Sequence, residues 1–169
     1  GDVKVYLKGY GRLLSSLVHA FRNAVDHGIE FSEKRLEDGK PEAGEIRVSF
    51  KVYPNLGLDA VPHLQIQIKD DGNGINADRI REKLKATSAR HPLLNAEDTE
   101  VYQTLFESGF STKTEVTELS GRGVGLDAIL CEAQRLNGNA RLDSEFGRGT
   151  TLTIEVPLIS VLELSLEDA

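Results

Sequence analysis

The sequence predicts an α/β (α+β) two-layer sandwich, a mixed, mostly antiparallel sheet with helices packed on one face. Three observations lead there. Alternating apolar runs come in neighbouring pairs, 46–53 with 64–69 and 140–144 with 151–157, as hairpins do. Helical periodicity occurs in four stretches, 10–27, 78–90, 98–107 and 124–137, grouped outside those pairs. The order lacks the strand–helix–strand alternation of a doubly wound parallel sheet, so the helices are expected on one side.

Composition sets the outer bounds. The 169 residues show no break of composition, and a single domain is expected over 1–158, with 159–169 a tail or the start of a following domain. Hydrophobic residues make up 39% and charged residues 28%, enough apolar material for a core and an ordinary polar surface. No run reaches the length of a membrane span, and no signal-peptide pattern opens the chain. The single Cys131 has no internal disulfide partner, which points to a reducing, cytoplasmic setting. The formal net charge of −7 argues against nucleic acid as the main ligand. It also means that any phosphorylated ligand must be met by local donors.

Taken in order, Val3–Leu7 alternates as a short strand would. The helix at 10–27 places Leu14, Leu17, Phe21 and Val25 on one side, expected to be buried. His19, Asn23, Asp26 and His27 fall opposite, with Arg22 at the edge and Gly28 as the stop. Residues 28–44 form a polar, Gly- and Pro-containing connection with a helical turn at 32–37 and Ser32 as its N-cap. Ile46, Val48, Phe50 and Val52 mark the first strand, and a loop from Pro54 to Pro62 leads to the second, marked by Leu64, Ile66 and Ile68. Ala77–Arg90 reads as a charged helix burying Ile80 and Leu84, ended by His91-Pro92. Glu97–Glu107 follows, and Ser108–Gly125 has the Gly, Ser and Thr content of a mobile loop. Leu126, Ile129, Leu130, Ala133 and Leu136 define the last helix, before the closing hairpin turned at Gly147 and Gly149.

Three stretches carry chemistry. The first is the polar helix face, where two imidazoles, an amide and a carboxylate replace the long charged residues of an ordinary solvated face. The second is Asp70-Asp71-Gly72-Asn73-Gly74, directly after an apolar strand. A carboxylate there is costly unless hydrogen-bonded, and the glycines permit close backbone approach. Alone, this stretch also reads as a simple turn. The third is Gly121-Arg122-Gly123-Val124-Gly125, running into a helix whose free N–H groups and dipole suit an anion. A dinucleotide fingerprint would need an early strand before it, and a zinc site on His19 and His27 would need closer spacing and a cysteine, so both readings are set aside.

In this order the three stretches resemble the N, G1 and G2 boxes of the ATPase superfamily of gyrase, heat-shock chaperones, histidine kinases and mismatch-repair MutL. Within it, His-Ala-Phe-Arg-Asn-Ala-Val-Asp-His-Gly-Ile-Glu (19–30), Gly-Phe-Ser-Thr-Lys (109–113) and Ser-Gly-Arg-Gly-Val-Gly-Leu-Asp (120–127) look most like the ATP-binding domain of CheA-like histidine kinases. The resemblance covers about 10–158 and implies the Bergerat (GHKL) ATPase fold with ATP and Mg2+ as ligands. It implies that Asp70, not Asp71, reads the adenine amino group, that Asn23 holds the metal, and that Arg22, His27 and Lys113 touch phosphate. The implied nucleotide-facing set adds Asp26, Gly72, Gly74, Ile75, Ser111, Thr112, Gly121, Arg122, Gly123, Val124, Gly125, Leu126, Thr150 and Thr151. His19, Asn23 and His27 are the implied catalytic residues, with Phe106 and Phe110 read either as anchors of a lid at about 86–125 or as packing.

The implied activity is transfer of the ATP γ-phosphate to a histidine on a separate phosphoacceptor domain, with a response regulator downstream. Dimerisation would come through domains outside this chain. His63 and His91 stand in no phosphoacceptor context. A non-kinase ATPase of the same superfamily or a nucleotide-sensing module stays open. Against the first stands the lack of any Glu in 10–28, where water-activating members carry one.

Overall fold

A computed structural model describes residues 7–53, 61–107 and 125–158. Four strands form one sheet in the order β1-β2-β4-β3, with β1 at Ile46–Tyr53, β2 at His63–Asp70, β3 at Asn139–Glu145 and β4 at Gly149–Pro157. Every pairing among the described strands is antiparallel. Register follows the alternation: Val48 lies opposite Ile68 and Phe50 opposite Ile66, while Ile66 meets Ile154 and Leu142 meets Leu152. This puts the β-branched and leucine side chains of β2, β3 and β4 on one face, where the helices lie. The other face carries Gln65, Gln67, Thr153 and Glu155, paired across strands by Gln65 Nε2 to Glu155 Oε1 (2.8 Å) and Gln67 Nε2 to Thr153 Oγ1 (3.3 Å).

The helical layer comprises α1 (Leu7–Ser16), α2 (Val18–Asn23), α4 (Ala77–Thr87), α5 (Asp98–Gln103) and α6 (Leu126–Arg135), with the short α3 (Ser32–Glu37) outside it. Their buried residues, among them Tyr10, Leu13, Ile80, Val101 and Ile129, join Leu64, Ile66, Leu152, Ile154 and Val156 in one core. Tyr10 ties the layers with a hydrogen bond from its hydroxyl to the carbonyl of Pro157 (2.9 Å). The helices stop short of β1, where Val48, Phe50 and Val52 face the same side as the core yet remain exposed.

The expected helix at 10–27 is subdivided. It breaks at Leu17, resumes as α2, and ends in a π turn over Ala24–Gly28, closed by Ile29 N–H to the Ala24 carbonyl (2.7 Å). Its buried stripe is Tyr10, Leu13, Leu17, Ala20 and Ala24. Of the residues expected inside, Leu17 is buried and Leu14 half-buried, but Phe21 and Val25 are 36% and 59% exposed. Ala20 lies on α2, which packs against α6, and Ala24 on the π turn, which packs against β4, while the bulkier residues turn outward. Leu7 begins α1 and does not end a strand, α4 stops at Thr87, and residues 104–106 close α5 as a 3-10 turn. Ser32 is the first residue of α3, whose N-cap is Phe31.

The connection 28–44 folds around Arg35, a fully buried guanidinium held by Glu30, Asp71 and the carbonyls of Pro41 and Ala43. Removing one partner of such a pair strands the others in a poorly solvating interior. Arg35→Ala is expected to lower stability by about 3–5 kcal/mol, read as a shift of the urea midpoint.

Candidate functional site

The end of the π turn, the end of β2 and the start of β4 meet at one place. Asp70, last residue of β2, is buried at 7% exposure. Its Oδ1 accepts from the N–H of Gly72 (3.0 Å) and of Thr150 (3.3 Å). Among the described residues both hydrogen bonds to this carboxylate land on Oδ1 and none on Oδ2. Burial pushes the Asp70 carboxyl above its ordinary range; the two amide donors oppose this, the neighbouring Asp71 adds to it, and the net shift is upward.

Glycines line the contact. A Cβ on Gly28 would stand 3.3 Å from Asp70 Oδ1, and one on Gly72 would stand 2.2 Å from the Gly28 carbonyl oxygen. Gly28 accepts in turn from Asn73 N–H (2.7 Å), so the helix end is fastened to the turn after β2. At Gly149, with φ +118, a Cβ would lie 2.1 Å from the Asp70 carbonyl oxygen. Gly74 (φ +68) passes the carbonyl of Glu145, and Ile75 N–H donates to Ser144 Oγ (2.8 Å). Ser144 Oγ also donates to the Gly149 carbonyl and touches Thr150 Oγ1 at 3.2 Å. Tyr102 on α5 donates to the Ile75 carbonyl (3.3 Å).

The residues singled out from sequence divide accordingly. Gly72, Gly74, Ile75 and Thr150 gather around Asp70. Asn23 closes α2 one π turn before Gly28 and is half-buried, as is His19, while Arg22, Asp26 and His27 are exposed on the same segment. Thr151 pairs with Lys69 and Asp143 and, by alternation, faces the far side of the sheet from Asp70. Leu126 opens α6 and packs against the core, and Gly125 N–H is taken by Asp127 Oδ1 (2.8 Å). Phe106 is buried in the core. Phe110, Ser111, Thr112, Lys113, Gly121, Arg122, Gly123 and Val124 lie outside the described residues.

Asp71 has a separate fate. Its carboxylate turns away from Asp70, receiving Arg35 at 2.7 and 3.2 Å and Glu45 N–H at 2.8 Å. Burial raises its carboxyl, but these donors outweigh burial and hold it below the ordinary range. Glu30 behaves alike, with burial outweighed chiefly by Lys40. The partners Arg35, Lys40 and Ser144 escaped the sequence reading, which took Gly28 only as a helix stop, Gly149 only as a turn and Glu30 only as the end of a motif. One usable signal was the charge of 28–44, a connection with few apolar residues to fix it. A shallow groove of about 700 Å³ runs nearby between Val25, Phe31 and Gly44. Of the nucleotide-facing residues implied from sequence it includes only Asp26, so chemistry rather than volume locates the site.

The profile of the family described as histidine kinase-, DNA gyrase B-, and HSP90-like ATPase matches residues 13–160. Chemotaxis protein CheA of Bacillus subtilis (strain 168) is 39% identical over 158 residues, 90% of this chain and 22% of that protein. The CheA of Halobacterium salinarum is 41% identical over 144 residues, 84% of this chain and 20% of its own length. The gliding motility regulatory protein of Myxococcus xanthus is 37% identical over 177 residues, 99% of this chain and 21% of that protein. The chain thus spans about a fifth of the length of these relatives. Among solved structures, the histidine kinase domain of the Erythrobacter litoralis EL346 blue-light activated kinase aligns with a TM-score of 0.50 at 16% identity, covering 98% of this chain and 51% of that one, a likeness of fold.

The depressed carboxyls of Glu30 and Asp71 fix the sign of the acid response. Their stabilisation is complete above their ordinary values of 4.5 and 3.8 and is lost as pH falls through the lower folded values. Asp70 works the other way, its burial penalty relieved on protonation. Denaturant midpoints from pH 7 down to pH 3 should therefore decline below about pH 4.5, and Asp71→Asn should show a shallower decline from a lower starting point.

Proposed function

Because the chain belongs to the family of histidine kinase-, DNA gyrase B- and HSP90-like ATPases, we propose that it is the ATP-binding catalytic domain of a CheA-like histidine kinase. In this reading it passes the ATP γ-phosphate to a histidine on a separate phosphoacceptor domain, from which a response regulator is served in the cytoplasm. The observation that carries the base-binding half is Asp70, a buried carboxylate with Oδ1 fixed by two amides and Oδ2 left to accept. Adenine offers an amino hydrogen there; guanine offers a carbonyl oxygen, which a carboxylate repels.

Asn23 would supply one amide oxygen toward a magnesium ion. Among the described residues no group of three His, Cys, Asp or Glu converges, so the ion would be carried mainly by the nucleotide's own phosphates. Bound there, it would neutralise charge on the transferring phosphoryl group. Arg22, His27 and Lys113 are the proposed phosphate contacts, and the backbone amides of the glycine-rich stretch 121–124 are further proposed donors. The bond from the γ-phosphorus to the bridging oxygen breaks as a nitrogen of the acceptor imidazole attacks, ADP leaves, and the imidazole later loses its N–H proton. A neutral imidazole is nucleophilic by itself, so His19 is assigned to orientation near the phosphates and no strong base is required.

The test is direct. With γ-labelled ATP, magnesium and a phosphoacceptor fragment from a CheA-like kinase, label should move to the fragment; free phosphate alone would indicate a hydrolase. Asp70→Asn should weaken ATP binding by about 1.5–3 kcal/mol, roughly 10- to 150-fold, with the circular dichroism spectrum retained. Unchanged affinity would remove Asp70 from the base-reading role.

A further inference from the structure

Lys40 and Arg35 hold the turn that follows Asp70. Lys40 Nζ donates to the carbonyl oxygens of Asp71 (3.0 Å) and Gly72 (2.8 Å), and to Glu30 Oε1 (2.7 Å). Arg35 Nη1 reaches the same Asp71 carbonyl at 3.4 Å while its guanidinium grips the Asp71 carboxylate. A trans peptide is planar, and its C=O and N–H point in opposite directions. The Asp71 carbonyl shares its peptide plane with the Gly72 N–H, which donates to Asp70 Oδ1. The Gly72 carbonyl shares its plane with the Asn73 N–H, which donates to Gly28. Holding the two oxygens from one side therefore aims the two amides at the other.

We propose that Lys40, backed by Arg35 and Glu30, is a positioning residue for nucleotide selectivity: by gripping two successive carbonyls it orients the Gly72 amide that fixes the Asp70 carboxylate and the Asn73 amide that ties the turn to the helix end. This rests on the reading of Asp70 as the purine acceptor. A packing role alone explains less. Buried ion pairs are poor sources of stability, because desolvation offsets attraction and apolar replacements often do as well. What an ammonium with three oxygen partners does supply is direction. Lys40 is nearly buried and lies at the junction of 28–44 with the turn after β2, so its loss frees both peptide planes without opening a large cavity.

The experiment compares wild type, Lys40→Met and a core control, Ile154→Val, in two measurements. The first is affinity for ATP and for GTP by titration calorimetry; the second, needing no nucleotide, is hydrogen exchange at the Gly72 and Asn73 amides. Lys40→Met should lose about tenfold in ATP affinity, narrow the preference for ATP over GTP by a similar factor, and accelerate exchange at both amides. The control should shift the melting temperature and leave preference and those amides alone. Unchanged exchange in Lys40→Met overturns the proposal, as does faster exchange with an unchanged ATP-to-GTP ratio. If wild type binds neither nucleotide, the ATP-binding reading fails, and the exchange result still decides whether Lys40 positions the turn.

Discussion

At Gly72 the chain runs so close to Gly28 that no side chain fits between them, and most of the site's geometry follows from that approach. The helix end, the end of β2 and the start of β4 converge only because Gly28, Gly72 and Gly149 present bare backbone to one another and to Asp70. The π turn at Ala24–Gly28 is part of the same arrangement. Such turns are rare and occur mostly as single insertions at functional positions. Here it leads to a glycine whose carbonyl accepts Asn73, linking the helix that bears Asn23 and His27 to the strand that bears Asp70.

Two adjacent aspartates show how local surroundings divide one chemistry into two. Asp71 meets a guanidinium and a backbone amide, ionises readily and serves as a strut. Among the described residues Asp70 receives only neutral amides; it is deeply buried, and its proton is held more tightly. Strand alternation explains the divergence: residues 70 and 71 leave β2 toward opposite sides, one into the helical layer and the other toward the 28–44 connection. A carboxylate spared from ion pairing retains acceptor capacity, which a ligand-reading group needs and a strut does not.

The sheet was legible from sequence because period-two alternation is local and strong; strand ends fell within a residue or two of those observed. The helix at 10–27 was legible as a helix but not in phase. Its largest apolar residues pointed to a stripe through Phe21 and Val25, whereas close packing selected the small Ala20 and Ala24, and the break at Leu17 shifted the angular relation of the halves. In the site, Asp70 and the glycines after it stood out as turn chemistry attached to a strand. The Glu30, Arg35 and Lys40 cluster did not. Its partners lie up to 36 positions away, and long-range charge pairing leaves no periodic trace in a sequence. Thr150 and Thr151 were indistinguishable by type, and only the register separates them.

Internal pairing of the nearby cations leaves Asp70 without an ion pair among the described residues, and its proposed base-reading role depends on that. Arg35 and Lys40 are spent on internal oxygens, so their charge offsets Glu30 and Asp71 and does not face outward. What remains toward the helix end is Asp70 with its orientation already fixed by Gly72 and Thr150. A group held before the ligand arrives needs no ordering on binding, and that preorganisation converts a single hydrogen bond into discrimination. Phosphate binding is a different physical problem. It requires outward-facing donors, and at the described start of α6 the Gly125 amide is already satisfied by Asp127. On the proposed function, the base would fall to the sheet-anchored half of the site and the phosphates to the exposed Arg22 and His27 at the helix end.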